Sequence, residues 1–150
     1  MIPLWRQLQA TADALREVRA GRSLTAVLEA VPPDLRPGVQ ALSFEVMRGL
    51  GRAQALRRQL ARRAPPDATD ALLCTALALA SIDEAPPYEP HTLVNQAVEA
   101  ARREAATRAQ SGFVNACLRR FLREREPLMA AIAADPVAVW NHPRWWIDRL

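Results

Sequence analysis

Apolar residues recur at steps of three and four along most of this 150-residue chain, and this period is typical of amphipathic helices. No stretch alternates apolar and polar residues in the way that a half-buried strand does. Several periodic segments are separated by paired prolines, which interrupt helices. The pattern therefore predicts an all-α bundle of about seven helices. The expected helices cover residues 4–20, 24–31, 35–50, 52–63, 67–82, 92–106 and 111–125.

The segment 67–82 carries apolar side chains around its whole circumference. Asp67 begins it, and small residues such as Ala76 and Ala78 allow neighbouring helices to approach closely. A helix without a polar face belongs in the interior of a bundle. We therefore expect this helix to form the centre of the domain.

The segment 111–125 has two contrasting faces. Arg119, Arg120 and Arg123 fall on one half of a helical wheel drawn at about 100° per residue. The other half is apolar and consists of Phe113, Val114, Cys117, Leu118, Phe121 and Leu122. The basic half is either a solvated face or a surface for an anionic partner. Pro127 is expected to end this helix.

A second basic cluster lies in the segment 52–63. Its apolar stripe is narrow, because Ala53, Leu56 and Leu60 span only about 60° of the wheel. The helix is therefore expected at the edge of the domain, with most of its circumference in solvent. It is either a solvated helix or an anion-binding surface. Its basic residues are Arg52, Arg57, Arg58, Arg62 and Arg63.

The net charge of +4 conceals an uneven distribution of charge. All 20 basic residues are arginine, which suits bidentate contacts to phosphate. Residues 48–63 contain six arginines and no acid, whereas residues 64–101 contain six acids and no basic residue. Such segregation predicts a polarised surface that meets either an anionic partner or another protein domain.

The sequence contains no recognisable catalytic or cofactor motif. There is no glycine-rich phosphate loop and no HExxH or GxSxG string. Cys74 and Cys117 are single and lie in apolar patterns, which predicts buried thiols in a reducing cytoplasm and no metal site. The longest apolar run is too short to cross a membrane, and the N-terminus lacks the order of a signal peptide. We expect a cytoplasmic protein without membrane contact.

The C-terminal residues continue beyond the last long helix. A short helical piece is expected over residues 128–134, and Asn141-His142-Pro143 is expected to begin another helix that includes Trp145 and Trp146. That helix has only about two turns before the chain stops. We therefore expect residues 1–126 to form a helical domain and residues 127–150 to lead into a further domain of a longer protein.

Four strings occur in an order that is characteristic of one family. They are ALSFEVMRGL (41–50), LVNQAVEAAR (93–102), SGFVNACLRRFLRE (111–124) and HPRWWIDRL (142–150). Together they resemble the NusB-like N-terminal domain of the bacterial 16S ribosomal RNA cytosine-C5 methyltransferases, the RsmB (Sun/Fmu) group. The resemblance covers nearly the whole chain and is strongest over 112–120. The ALSFEVMRGL string matches less closely, because Phe44-Glu45 stands where the family often has Tyr-Gly or Phe-Gly.

The resemblance implies a NusB-like helical bundle that binds or positions ribosomal RNA and is not catalytic by itself. In that family a later, Rossmann-like domain binds S-adenosylmethionine, and its catalytic cysteines lie in Pro-Cys and Thr-Cys motifs. Neither motif occurs in this chain, so no catalytic or cofactor-binding residue is expected here. The expected partners are ribosomal RNA and the methyltransferase domain.

Two other functions remain open at this point. One is a free-standing NusB-type factor of transcription antitermination, and the other is a helical protein-interaction adaptor without an RNA role. The eight arginines of the two basic clusters are the candidate RNA-binding residues, although a methyltransferase domain could cover them instead. They are Arg52, Arg57, Arg58, Arg62, Arg63, Arg119, Arg120 and Arg123.

Overall fold

A computed structural model of the chain describes residues 1–134. Within that range the regular structure is entirely helical, which confirms the predicted all-α bundle. The predicted helix that follows Pro143 lies outside the described residues. The helices are α1 (Leu4–Arg19), α2 (Leu24–Glu29), α3 (Arg36–Arg48), α4 (Leu50–Leu60), α5 (Asp67–Ala80), α6 (Pro90–Arg103), α7 (Ala105–Arg108), α8 (Ser111–Arg123) and α9 (Arg125–Ile132).

Several helix boundaries differ from the predicted ones. Extended backbone at Glu104 (φ −115°, ψ 137°) separates α6 from α7, where one helix was expected. Helix α3 begins at Arg36 with Leu35 at the capping position, and no side chain caps this helix end. Pro127 lies in the first turn of α9, where proline is tolerated, and α8 has already ended at Arg123. These differences reflect local backbone turns that hydrophobic periodicity does not record.

Helix α5 is the centre of the bundle, as predicted. Every residue from Ala71 to Ala80 is buried, and α5 packs against α1, α3, α4, α6, α7 and α8. Thr75 is the one polar residue of this run, and its hydroxyl donates a hydrogen bond of 2.7 Å to the Ala71 carbonyl. An apolar circumference therefore corresponds to a helix surrounded by other helices.

Two arginines from distant segments occupy the C-terminal end of α5. Arg52 donates hydrogen bonds to the Ala78 carbonyl (3.0 Å) and to the Ser81 hydroxyl (2.6 Å). Arg125 donates to the Ala80 carbonyl (2.6 Å) and pairs with Asp83 (2.7 Å). The last carbonyls of a helix lack partners within it and carry partial negative charge. These guanidinium groups therefore satisfy and neutralise a helix end that lies inside the domain.

The N-terminal half of α5 is held by a charged triad, which we define as Arg19, Asp70 and Arg57. Arg19 Nη1 donates to Asp70 Oδ2 at 3.1 Å, and Arg57 Nε lies 3.2 Å from Asp70 Oδ1. Their side chains are only 19%, 17% and 13% exposed, respectively. The triad joins α1, α5 and α4, because each helix supplies one member.

None of the helices in residues 1–134 is long and apolar enough to cross a membrane. The same part of the chain contains no group of three His, Cys, Asp or Glu side chains that could hold a metal ion.

Candidate nucleic-acid interface

The two basic clusters meet in space although sixty residues separate them in sequence. Arg120 Nη1 on α8 donates a hydrogen bond of 3.5 Å to the carbonyl of Leu60, the last residue of α4. Arg62 and Arg63 follow directly after that helix end. Burial raises the pKa of the Cys117 thiol, and the positive charges of Arg120 and Arg57, one from each basic cluster, act in the opposite direction. The C-terminal end of α4 and the basic face of α8 therefore form one surface.

We call this region the α4–α8 basic surface. Its members are Arg58, Arg62, Arg63, Arg120 and Arg123. Of these, Arg62, Arg63 and Arg123 are exposed and make no hydrogen bond or ion pair with the described residues. Arg58 is also exposed. The side chain of Arg120 is 42% exposed and pairs with Glu124 at 3.1 Å.

The expectation that α4 lies mostly in solvent is wrong. Its N-terminal and central residues, Leu50, Ala53 and Ala55 among them, are buried, because α9 covers a face that the sequence pattern left open. Only Arg58 and Gln59 of this helix are fully exposed. The helix is therefore packed on two sides, and its basic residues face different environments.

Two of the candidate arginines on α4 have structural partners. Arg52 contacts the C-terminal end of α5, and burial lowers the pKa of its guanidinium group, although arginine remains charged at neutral pH. Arg57 belongs to the charged triad and also donates to the Ala61 carbonyl at 2.9 Å. RNA contact by these two residues stays a prediction, and each already has a role in holding α5.

The three arginines of α8 diverge. Arg119 points toward α6, where Nη2 donates to Asn95 Oδ1 at 2.8 Å. Arg120 points toward α4, and Arg123 is exposed. Sequence periodicity placed all three on one polar half, and that is correct, but it did not show which neighbouring helix each would contact.

Two grooves of the described region lie near the acidic 82–89 loop. One groove of about 460 Å³ is lined by Arg48, Arg52, Asp83 and Glu84, among other residues. Because both signs of charge line it, this groove is not selective for anions. On the α4–α8 basic surface Glu124 pairs with Arg120, while Arg62, Arg63 and Arg123 have no ion pair within residues 1–134, so this surface is the stronger candidate for an anionic ligand.

The comparisons with known proteins fit this architecture. The model of the NusB family matches residues 6–123, from the first turn of α1 to the last residue of α8. The chain belongs to the NusB family. This result confirms the family resemblance drawn from the four strings and accounts for the helical bundle.

This NusB-family chain is also similar to the ribosomal RNA small subunit methyltransferase B of Pseudomonas putida. The two are 34% identical over 145 residues, which cover 91% of this chain and 32% of that protein. The chain thus spans about a third of the length of this curated relative. The predicted boundary at residue 126 stays a prediction.

Proposed function

We propose that this chain is the RNA-binding, N-terminal domain of a 16S ribosomal RNA cytosine-C5 methyltransferase. In this proposal the domain binds or positions ribosomal RNA, and the S-adenosylmethionine site and the catalytic residues belong to a separate domain of the same cytoplasmic protein. Membership of the NusB family and similarity to a ribosomal RNA methyltransferase support the proposal.

The observation that carries the RNA-binding role is the continuity of the α4–α8 basic surface. The Arg120–Leu60 contact joins two arginine clusters that lie on different helices. Arg62, Arg63 and Arg123, which are exposed and have no partner within residues 1–134, are suited to phosphate, since each guanidinium group offers donors in a fixed fork and a permanent charge. Such contacts release counterions from RNA and give binding that weakens with salt.

The chemistry of the cysteines supports a non-catalytic role for this domain. Cys74 is fully buried, and this burial raises the pKa of its thiol to about 12. Burial also raises the pKa of the Cys117 thiol. The thiolate is the nucleophilic form, so neither thiol is suited to attack a base at neutral pH.

The test is the binding of the 150-residue chain to single-stranded fragments of 16S ribosomal RNA, measured by fluorescence anisotropy at increasing salt. A single-stranded contact contributes about −0.7 to the slope of log K against log salt, so the five arginines of the surface contribute about −3.5. The double variant Arg62→Ala/Arg63→Ala should make the slope shallower by about 1.4, the effect of two contacts.

The matched control is Arg22→Ala/Arg48→Ala, which removes the same charge from other exposed positions. Equal losses in the two variants would show that only net charge matters and would contradict a defined surface. Absence of RNA binding at low salt would favour the adaptor function, and preference for an antitermination RNA would favour the free-standing factor. The chain alone should neither transfer methyl groups to ribosomal RNA nor bind S-adenosylmethionine in calorimetry.

A further inference from the structure

Four polar side chains from α6 and α8 meet at the protein surface, away from the contact between Arg120 and α4. At their centre is Arg119, which uses all three of its nitrogen atoms. Nη2 donates to Asn95 Oδ1 at 2.8 Å, Nε donates to Asn115 Oδ1 at 3.3 Å, and Nη1 lies 3.4 Å from His91 Nδ1. His91 and Asn95 are exposed, whereas Asn115 and Arg119 are half-buried. We call these four residues the α6–α8 polar cluster.

The chemistry of arginine fixes the orientation of the other three side chains. A guanidinium group has only donors, so each asparagine must present its oxygen to Arg119 and turn its NH₂ group elsewhere. For the same reason His91 Nδ1 must accept, which places the proton of the neutral ring on Nε2. Within residues 1–134 neither amide nitrogen has an acceptor. The cluster therefore presents donors outward.

Arg119 makes no ion pair with an acid of residues 1–134. Eight other arginines of residues 1–134 each lie close to an acid, and the partners of Arg119 in the described region are instead neutral. The eight are Arg16, Arg19, Arg22, Arg48, Arg57, Arg103, Arg120 and Arg125. The acid nearest to the cluster in sequence, Glu89, accepts hydrogen bonds from the backbone N–H groups of His91 and Thr92 at the start of α6.

We propose that the α6–α8 polar cluster binds one phosphate group of an RNA backbone. The inference rests on the proposed RNA-binding function and adds to it a defined anion site on a different side of α8. A phosphodiester offers only acceptors and a negative charge, which complement a pre-oriented arginine and two outward amide groups. Arg123 lies one turn further along α8, so a strand that leaves this site meets a second exposed guanidinium group.

The decisive variants are Asn95→Asp and Asn115→Asp. An aspartate keeps the oxygen that accepts from Arg119 and strengthens that bond by its charge, but it replaces an outward donor by a repelling acceptor. We therefore expect each variant to melt at the same temperature as the parent or higher. The double variant should weaken binding to the single-stranded RNA and make the salt slope shallower by about 0.7, the effect of one phosphate contact.

The matched control for either single variant is Gln40→Glu, which makes the same change of one charge at an exposed position on α3. If Asn95→Asp binds RNA as Gln40→Glu does, the cluster serves only to join α6 to α8, and the inference is overturned. It is also overturned if RNA binding is unchanged while association with a separately expressed methyltransferase domain is lost. If the parent chain binds no RNA at all, the proposed function fails first, so the two failures are distinguishable.

Discussion

The charged triad gives a quantitative test of the fold. Asp70→Asn keeps the shape of the side chain and removes the negative charge between Arg19 Nη1 (3.1 Å) and Arg57 Nε (3.2 Å). The three side chains are each less than a fifth exposed. Two arginines on different helices would then face a neutral amide without a compensating charge.

The loss in the free energy of unfolding expected for Asp70→Asn follows from this burial. Removal of one partner from a buried ion pair costs about 3–5 kcal/mol, and the remaining exposure of the triad places the cost near the lower value. Asp70 also lies in the first turn of α5, where loss of a negative charge costs about 0.3–1 kcal/mol through the helix dipole. We expect a loss of about 3 kcal/mol. For a domain of this size that lowers Tm by about 10 °C.

The assay is urea unfolding at pH 7 followed by circular dichroism, with Asp67→Asn as the matched control. Asp67 lies in the same first turn, but its pair with Arg16 is 42% and 66% exposed on the two sides. An exposed pair contributes about 0–1 kcal/mol and is screened by salt. Equal losses in the two variants, or a loss at Asp70 that disappears in high salt, would refute the argument from burial.

Two further variants test other parts of the domain. Burial and the charge of Asp13 raise the pKa of Glu104, so its ionised form destabilises the fold as pH rises above the unfolded pKa of about 4.3. Glu104→Gln should therefore increase the free energy of unfolding at pH 7, and this gain should vanish below that pKa. A gain that persists below that pKa would show that the ionised Glu104 carboxylate is not the cause. Leu77 is fully buried in α5. Because burial of an unpaired charge costs much free energy, Leu77→Asp should abolish cooperative unfolding in circular dichroism. A variant that still unfolds cooperatively would contradict the central position of α5.

The position of α5 was predictable because the pattern of its own residues indicates that the helix is buried. An apolar circumference over 71–80 requires neighbours on every side wherever the helix lies in the chain. The surroundings of α4 were not predictable in this way. Its second face is covered by α9, the short helix predicted over residues 128–134, which begins at Arg125 because proline is compatible with a first turn.

The α4 arginines show the same difference between local and tertiary information. In sequence, Arg52 and Arg57 are indistinguishable from Arg58, since all three occur on one short helix. Their partners are Ser81 and Asp70, which belong to the loop after α5 and to α5 itself. One signal was available: Asp70 is an acid in the first turns of a helix predicted to be central, and a buried acid requires a cation.

Arginine fulfils both the interior and the surface roles here for one physical reason. Its guanidinium group stays charged and carries several donors in a fixed fork, so it suits the end of α5 and a phosphate equally well. What separates the roles is the acceptor within reach. Arg52 and Arg125 reach carbonyls at the end of α5, whereas Arg62 and Arg123 reach no acceptor in the described part of the chain. Arg62, Arg63 and Arg123 are therefore the members of the α4–α8 basic surface that reach no acceptor among residues 1–134, and the location of that surface follows from where α4 ends against α8.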